Sequence, residues 1–438
     1  RNFYNGFARS MNVAAPAHTR RYLVAQLARF GDLLQTKRLI LSLLENGSSD
    51  VQNEVHLVVD RSLSDLTKLI YPDVIVHGIT AHGKATQDPA GLIQENMSAF
   101  AELREPAYDR VYNLNFSGLN FSLSTLFDPD IVLGYRMNAG QCLKGLWPEL
   151  AMRWSRYRQF TGLNLMDFWG AFAPASIAPG EVNPIARSKG GGIGVVLGGR
   201  HLRRSLPVEV LSPIVGAVFQ GIGAKRVTLL GTKAEQPMAK EIKATFPKKV
   251  LDLTHDLTGK TNFPELIEAV GGLDVLLTPD TGTMHLAAHL GTPVMAFFLS
   301  SAWCYETGPY GLGHRVWQAH PECAPCLETQ PCENDLACLE PFSHRDLLRY
   351  LSGNAEFEYP PGLLGLVSVL DPLGVTYRPV MGQDPWAERR LKFRSLVAEH
   401  QGMGMSGPLD SDFAAQFFQE RDWMLKNESS PDKTLECM

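Results

Sequence analysis

The feature that most constrains the fold is a buried strand that passes directly into a polar turn and a helix, late in the chain. Residues 275–278 form a short apolar run, which is typical of a strand inside a parallel sheet. Pro279 ends this run, and the sequence Asp-Thr-Gly-Thr follows over residues 280–283. A helix predicted over residues 284–290 then begins where backbone N–H groups and small hydroxyls favour phosphate oxygens. Because open parallel sheets bind ligands beyond the carboxyl ends of their strands, we expect chemistry at this turn.

The same alternation of strands and helices occurs before and after residues 168–192, a stretch rich in proline and glycine that is typical of an interdomain linker. Apolar runs and helical stripes define the predicted elements. The predicted strands are 22–27, 55–59, 74–76, 111–114, 131–132, 193–197, 227–230, 251–253, 275–278 and 294–299, and the predicted helices include 33–44, 63–70, 208–222, 235–246, 262–270 and 284–290. This alternation predicts an α/β fold with doubly wound sheets.

The chain of 438 residues is long enough for two such domains and an additional region. We predict an N-terminal domain over residues 1–180 and a second domain over residues 181–350. Residues 351–438 are predicted to be a C-terminal helical extension, with helical patterns in 386–400 and 412–426.

Composition excludes several classes of protein. Apolar residues make up 45% of the chain and charged residues 20%, as in ordinary globular proteins. A net charge of −5 argues against a nucleic-acid-binding protein, which is usually basic. No apolar run approaches the roughly 18–20 residues of a membrane span. The N-terminal residues lack the form of a secretory signal, so we expect a cytoplasmic protein.

Four loops of the second domain follow predicted strands and are expected to meet at one edge of the sheet. They supply glycines for close backbone approach, the basic pair Arg203 and Arg204 for phosphate, and a carboxylate for ribose hydroxyls. Loops of this composition also occur without a ligand, so the prediction of a nucleotide diphosphate site depends on all four occurring together. None of them is a Walker A or a Gly-x-Gly-x-x-Gly sequence, which argues against ordinary kinases and dehydrogenases. The candidate binding residues are Gly198, Gly199, Arg204, Glu235, Lys260, Thr261, Asp280, Thr281, Gly282, Thr283 and His285.

Two of the candidate residues have alternative interpretations. Asp32 follows the first predicted strand, where a carboxylate from the first domain would face the nucleotide and act as a general base. Aspartate is also a preferred N-cap, so Asp32 could instead cap the helix predicted over 33–44. His285 lies in the first turn of its helix, where it would donate to a phosphate or be a packed core residue.

Four cysteines, with the spacing Cys-x2-Cys-x5-Cys-x5-Cys, lie close together in the sequence. Four thiolates in one short loop can form a tetrahedral zinc or iron site, and reduced buried thiols or disulfides are the alternatives. In the cytoplasm such a cluster favours a structural metal over disulfides. The candidate ligands are Cys323, Cys326, Cys332 and Cys338.

In combination and in order, these motifs resemble glycosyltransferase family 9, the ADP-heptose heptosyltransferases of lipopolysaccharide core synthesis. The resemblance covers roughly residues 20–350. It rests on Gly-Asp-Leu-Leu at 31–34, Asp-Thr-Gly-Thr-Met-His at 280–285, Thr-Gly-Pro-Tyr-Gly at 307–311 and Cys-x-Pro-Cys at 323–326.

The resemblance implies a GT-B fold, in which two Rossmann-like domains face each other and the second holds most of the sugar nucleotide. It implies inverting transfer from an ADP-linked heptose without a catalytic metal. Asp32 matches the family's proposed base, and Arg204 falls where the family usually has a phosphate-binding lysine. Glu235 matches the ribose-binding acid, and residues 280–285 match the diphosphate and sugar loop.

The resemblance leaves the acceptor open. A lipopolysaccharide core glycolipid would imply peripheral association with the inner face of the membrane. Some relatives transfer heptose to serines of autotransporter proteins and carry an iron-binding cysteine motif. A non-catalytic sugar-nucleotide binding protein is a third alternative, but such a protein has no need of a carboxylate at Asp32.

Overall fold

The computed structural model describes residues 18–47, 50–82, 89–199, 202–354, 358–405 and 410–419. These residues form two sheets, and helices connect most of the successive parallel strands. The predicted helix over 412–426 lies outside the described residues beyond position 419. None of the described helices has the length and apolar character that a membrane crossing requires.

The first sheet has the strand order β3-β2-β1-β4-β5-β6. Its strands are β1 His18–Gln26, β2 Val51–Asp60, β3 Ile75–Ile79, β4 Arg110–Asn113, β5 Val132–Asn138 and β6 Gln141–Lys144. The first five strands are parallel, and β6 pairs antiparallel with β5 at the edge. The carboxyl half of β1 is fully buried, as expected for a central strand of a parallel sheet.

Within the described part of the chain, eight helices accompany the first sheet and the linker that follows it. Two of them, α1 and α2, replace the single helix predicted over 33–44, and Thr36 lies between them. The helices are α1 Phe30–Gln35, α2 Lys37–Glu45, α3 Ser64–Ile70, α4 Pro89–Arg104, α5 Gly118–Ser124, α6 Leu146–Trp154, α7 Leu165–Gly170 and α8 Pro179–Val182.

The second sheet has the strand order β14-β13-β12-β11-β10-β7-β8-β9. Its strands are β7 Ile193–Val196, β8 Val227–Leu230, β9 Thr254–Asp256, β10 Val275–Pro279, β11 Val294–Phe298, β12 Arg315–Ala319, β13 Leu363–Leu370 and β14 Val375–Met381. The central strand β10 pairs in parallel with β7 on one side and β11 on the other. All five of its residues are buried, which confirms the prediction for this stretch.

The described residues of this half of the chain form nine helices. They are α9 Val208–Gly221, α10 Gln236–Thr245, α11 Lys248–Leu251, α12 Phe263–Gly271, α13 Gly282–His289, α14 Cys304–Thr307, α15 Arg345–Leu351, α16 Ala387–His400 and α17 Ser411–Gln419. The strand predicted over 251–253 is wrong, because α11 continues to Leu251 and β9 begins at Thr254.

The C-terminal region differs from the helical extension predicted for residues 351–438. It begins with β13 and β14, which add two antiparallel strands to the second sheet before α16 starts. Helix α16 then contacts the first half of the chain, where Arg390 donates to the carbonyl of Gln159 (2.7 Å) and Phe393 packs against Trp154. The extension therefore joins the two halves of the molecule.

Candidate active site

A cavity of about 1040 Å³ lies between the two sheets. One wall is formed by loops that follow β7, β8, β9 and β10, all at the carboxyl edge of the second sheet. The other wall is formed by helix α1 and by Leu165 of α7. All of the candidate residues of the predicted nucleotide and base sites except Lys260 line this cavity, at the edge where open parallel sheets bind ligands.

Asp32 is the third residue of α1 and faces this cavity. The N-cap of the helix is Arg29, whose backbone N–H donates to the Asp32 carboxylate (3.1 Å). Asp32 therefore supports the start of α1 from inside the helix and is not itself the cap of a helix over 33–44. It keeps partial access to the cavity. The N-cap interpretation is therefore wrong, whereas the general-base role of Asp32 stays a prediction that its place in the cavity lining allows.

The diphosphate candidates lie directly opposite. Thr281 is the N-cap of α13, and its side-chain oxygen accepts from the N–H of Met284 (3.3 Å). Gly282 is packed so closely that a Cβ there would lie 2.4 Å from Cδ1 of Phe30, so α1 and α13 meet across a glycine. The N-terminus of α13, with Gly282 and Thr283 in its first turn, therefore opens into the cavity beside α1.

Arg204 provides the positive charge at this turn. Its guanidinium forms a salt bridge with Asp280, and the hydroxyl of Thr307 donates to the same carboxylate oxygen (2.8 Å). Burial raises the pKa of Asp280, while Arg204 and Thr307 lower it. Because Arg204 is fixed by an ion pair and still lines the cavity, it is held in position to neutralise an anion.

His285 is nearly fully buried, with 5% of its surface exposed, between the two walls. Its Nε2 lies 3.8 Å from Oδ1 of Asp280, and its Cδ2 would lie 3.2 Å from a Cβ at Gly31. Burial lowers the pKa of His285 to about 4, so the imidazole is neutral at physiological pH. It can therefore donate one hydrogen bond but carries no charge.

Burial also raises the pKa of Asp32. His285 opposes this shift and the Asp280 carboxylate adds to it, although a neutral imidazole opposes it only weakly. Asp32 has no Lys or Arg salt-bridge partner among the described residues. A carboxylate with a raised pKa and no cationic partner is a stronger base than an ordinary aspartate.

Glu235 lies at the other end of the cavity. Its Oε2 accepts from the backbone N–H and the hydroxyl of Thr232, both at 2.7 Å. Its Oε1 lies close to Gly198, because a Cβ added to that glycine would be 3.5 Å from this oxygen. Gly199 and Thr261 line the same cavity. This end therefore offers an acceptor oxygen beside glycines, as a ribose hydroxyl requires.

The structure does not support two of the basic residues chosen from sequence. Lys260 is exposed, does not line the cavity, and donates to the backbone carbonyl of Asp256 (2.7 Å). Lys233, on the neighbouring loop, lines the cavity instead. Arg203 points away from its neighbour Arg204 and donates to the carbonyls of Leu327 (2.9 Å), Glu328 and Gln330.

Sequence reasoning also missed several cavity residues. Gln35 comes one helical turn after Asp32, so helical spacing alone could have identified it. Phe30 and Phe263 approach each other across the cavity with ring centroids 6.1 Å apart, and Leu165 belongs to a stretch predicted to border the linker. No local pattern marks these last three residues as part of a site.

The cysteine cluster does not have the geometry predicted for it. Among the residues that the structure describes, no group of three or more His, Cys, Asp or Glu side chains is arranged to hold a metal ion. Cys323 and Cys332 are exposed, Cys326 is half-buried and Cys338 is buried. The loop is instead held by arginines, since Arg158 donates to the carbonyl of Cys326 (3.0 Å) and Arg203 to the carbonyls beyond it. We therefore derive no role for a metal here.

The two sheets and the cavity between them define a glycosyltransferase fold of the GT-B type. The structure is similar to the glycosyltransferase family 9 protein of Veillonella parvula, with a TM-score of 0.51 and 16% identity over 69% of this chain and 87% of that chain. It is also similar to Escherichia coli heptosyltransferase WaaC with ADP, with a TM-score of 0.52 and 16% identity over 69% of this chain and 93% of that chain. At this identity the likeness shows the fold.

Sequence comparisons match part of the chain to one family. Residues 217–337 match the model of glycosyltransferase family 9 (heptosyltransferase). Lipooligosaccharide heptosyltransferase 2 of Haemophilus influenzae is 31% identical over 72 residues, which are 16% of this chain and 21% of that protein. The aligned part thus spans about a fifth of the relative (21%). These matches confirm, over part of the chain, the resemblance to glycosyltransferase family 9 found from the motifs.

Proposed function

We propose that this protein is an inverting glycosyltransferase that moves heptose from ADP-heptose to a hydroxyl of a lipopolysaccharide core acceptor. The observation that supports this most is the pairing of Asp32 with the turn at 280–283 in one cavity. A base from the first domain and an anion site from the second are the two groups that direct displacement needs on opposite faces of a sugar.

In the proposed reaction, Asp32 accepts the proton of the acceptor hydroxyl, and the oxygen of that hydroxyl forms a bond to the anomeric carbon of the heptose. The bond between that carbon and the β-phosphate oxygen breaks, and ADP departs with the electron pair. Arg204 and the N–H groups at the start of α13 would stabilise the negative charge that develops on the diphosphate. Glu235 would accept a hydrogen bond from the ribose.

The proposal includes transfer without a catalytic metal, because Arg204 and a helix N-terminus can neutralise the diphosphate. It also favours an enzyme over a non-catalytic binding protein. Keeping a partly buried carboxylate without a cationic partner is costly, and a protein that only binds a nucleotide gains nothing from one in this position.

The test is release of ADP from ADP-heptose by purified protein, in EDTA and in Mg²⁺, with a glycolipid acceptor or with a serine-containing protein acceptor. We expect release in EDTA, faster with the glycolipid. Release only with the protein acceptor would change the acceptor class. Absence of both ADP release and calorimetric ADP binding would contradict the proposal.

A further inference from the structure

The amide of Gln35 is an unpaired polar group in the cavity wall. The side chain is buried, with 3% of its surface exposed, and lines the cavity. Its Nε2 has no hydrogen-bond partner among the described residues. A buried N–H2 group without a partner is costly, and most such groups in proteins are satisfied. The amide therefore needs a partner that the protein itself does not supply.

Two other buried glutamines show what a satisfied amide looks like in this protein. Gln26 donates from Nε2 to the hydroxyl of Thr36 (3.1 Å). Gln318, on β12, donates to the carbonyl of Ala319 (2.9 Å) and accepts from the N–H of Cys304 (3.0 Å). Both are about as buried as Gln35, at 1% exposed. Burial alone therefore does not explain the unpaired amide of Gln35.

The position of Gln35 indicates which part of a ligand it would meet. It follows Asp32 by three residues in α1, so the two side chains share a face of the helix. Thr307, which follows β11, and Leu165 of α7 line the same cavity. The ribose candidate Glu235 follows β8, and the strands β10 and β7 separate β8 from β11 in the sheet. Gln35 therefore belongs to the end of the cavity that holds the proposed base.

We propose that Gln35 binds the transferred sugar of the donor, by donating from its amide to a pyranose hydroxyl beside the reacting carbon. This inference rests on the proposed function. A neutral amide suits a neutral polyol, whereas the diphosphate is matched by Arg204 and the N-terminus of α13. Gln35 is then a residue of sugar recognition whose partner arrives with the substrate.

The experiment compares Gln35→Met with the matched control Gln318→Met. Methionine keeps the length of the side chain and removes the amide. Calorimetry measures the Kd of ADP and of ADP-heptose for each protein, and a thermal melt measures its Tm. For Gln35→Met we expect an ADP Kd within about twofold of the parent and an ADP-heptose Kd raised about tenfold, the usual loss for one hydrogen bond of this kind.

The thermal melts distinguish a role of Gln35 in sugar binding from a role in the packing of the protein. Removing an unpaired amide should leave the Tm of Gln35→Met unchanged or raise it, whereas Gln318→Met should melt earlier because its partners lose their bonds. The control should keep the parental ratio of the two Kd values. An unchanged ADP-heptose Kd in Gln35→Met, or an equal rise for ADP and ADP-heptose, would overturn the inference. Failure of the parent protein to bind ADP at all would instead contradict the proposed function.

Discussion

Two aspartates lie where the halves of the molecule meet, Asp167 fully buried and Asp32 partly buried, and their carboxylates have different numbers of hydrogen-bond partners. Asp167, behind the cavity, accepts from Arg38 (2.6 Å) and from the hydroxyl of Tyr310 (2.6 Å) on one oxygen. Its other oxygen accepts from the N–H of Val375 (2.9 Å). Asp32, inside the cavity, accepts from the backbone N–H of Arg29 and has no cationic partner among the described residues.

The packing around the two residues differs in the same way. Asp167 is enclosed so tightly that a Cβ at Gly374, where φ is +152°, would lie 1.9 Å from its Cγ. The ion pair with Arg38 joins α7 to α2, and the hydrogen bonds from Val375 and Tyr310 join α7 to β14 and to the loop of Tyr310. The packing of the two halves of the chain therefore depends on this carboxylate. Asp32 keeps an open side toward a cavity of about 1040 Å³.

The comparison shows that burial of a carboxylate does not by itself indicate a function. When its lone pairs are filled by fixed donors and a cation, the carboxylate stabilises the junction and has no capacity left for a substrate. When it lacks a cation and faces a cavity, it can accept a proton. The predictions below test this distinction, beginning with the largest expected effect.

Asp32→Asn should remove the base and keep the fold. Asparagine retains an oxygen for the N–H of Arg29, so the start of α1 is preserved. We expect transfer to slow by about 10²–10⁴-fold, while ADP binds as in the parent and the free energy of unfolding stays the same or rises, since a carboxylate with a raised pKa is lost. Steady-state ADP release, ADP titration and chemical denaturation check the three parts.

Asp65→Asn is the matched control, because Asp65 also lies in the first turn of a helix, α3, but is exposed to solvent and outside the cavity. Its turnover should stay within about twofold of the parent. Near-parental turnover in Asp32→Asn would show that Asp32 is not the base. Turnover near that of the parent with a loss of about 1 kcal/mol in stability would support the helix-bracing role alone.

Asp167→Asn should lower the stability of the protein and leave ligand binding unchanged, in contrast to Asp32→Asn. It leaves the buried guanidinium of Arg38 without its counter-charge, and breaking such a pair costs about 3–5 kcal/mol. We expect a large loss of unfolding free energy in denaturant titrations, and a ligand affinity per folded molecule close to that of the parent. A variant as stable as the parent but unable to bind ADP would show that the junction serves the site directly.

Acid should destabilise both the cavity and the junction around Asp167, because a buried histidine lies at each of them. Burial lowers the pKa of His285 in the cavity, and of His314 near Tyr310, to about 4. The unfolded chain binds protons near pH 6.5, so the folded state loses stability as pH falls from about 6.5 toward 4, by up to about 1.4 kcal/mol per pH unit for each histidine.

His314→Leu separates the two contributions. It should reduce the slope of the unfolding free energy against pH by the contribution of one histidine. The Kd of ADP should stay within about twofold of the parent, since His314 does not line the cavity. Denaturant titrations at pH 4.5, 5.5 and 6.5 measure the slope. An unchanged slope in this variant would mean that His314 is not the buried neutral histidine described above.

Much of the fold could be predicted because strands and helices that alternate leave a local pattern. The runs at 227–230 and 275–278 were identified within a residue of β8 and β10. The sequence did not predict β13 and β14, although Leu363–Leu370 is an apolar run, because such a run does not by itself distinguish a strand from a buried helix. Strand 251–253 was misplaced because a short apolar run does not distinguish a helix from a strand.

The sequence by itself determined which turns meet at the cavity, because parallel strands align their carboxyl ends whatever their side chains are. It also determined that Asp32 follows the first strand and that the turn at 280–283 begins a helix. Only the tertiary structure decided which of two basic residues lines the cavity. Arg204 rather than Arg203, and Lys233 rather than Lys260, line the cavity. A side chain's direction depends on partners distant in sequence, such as Asp280 for Arg204 and the carbonyl of Leu327 for Arg203, and no local pattern encodes those partners.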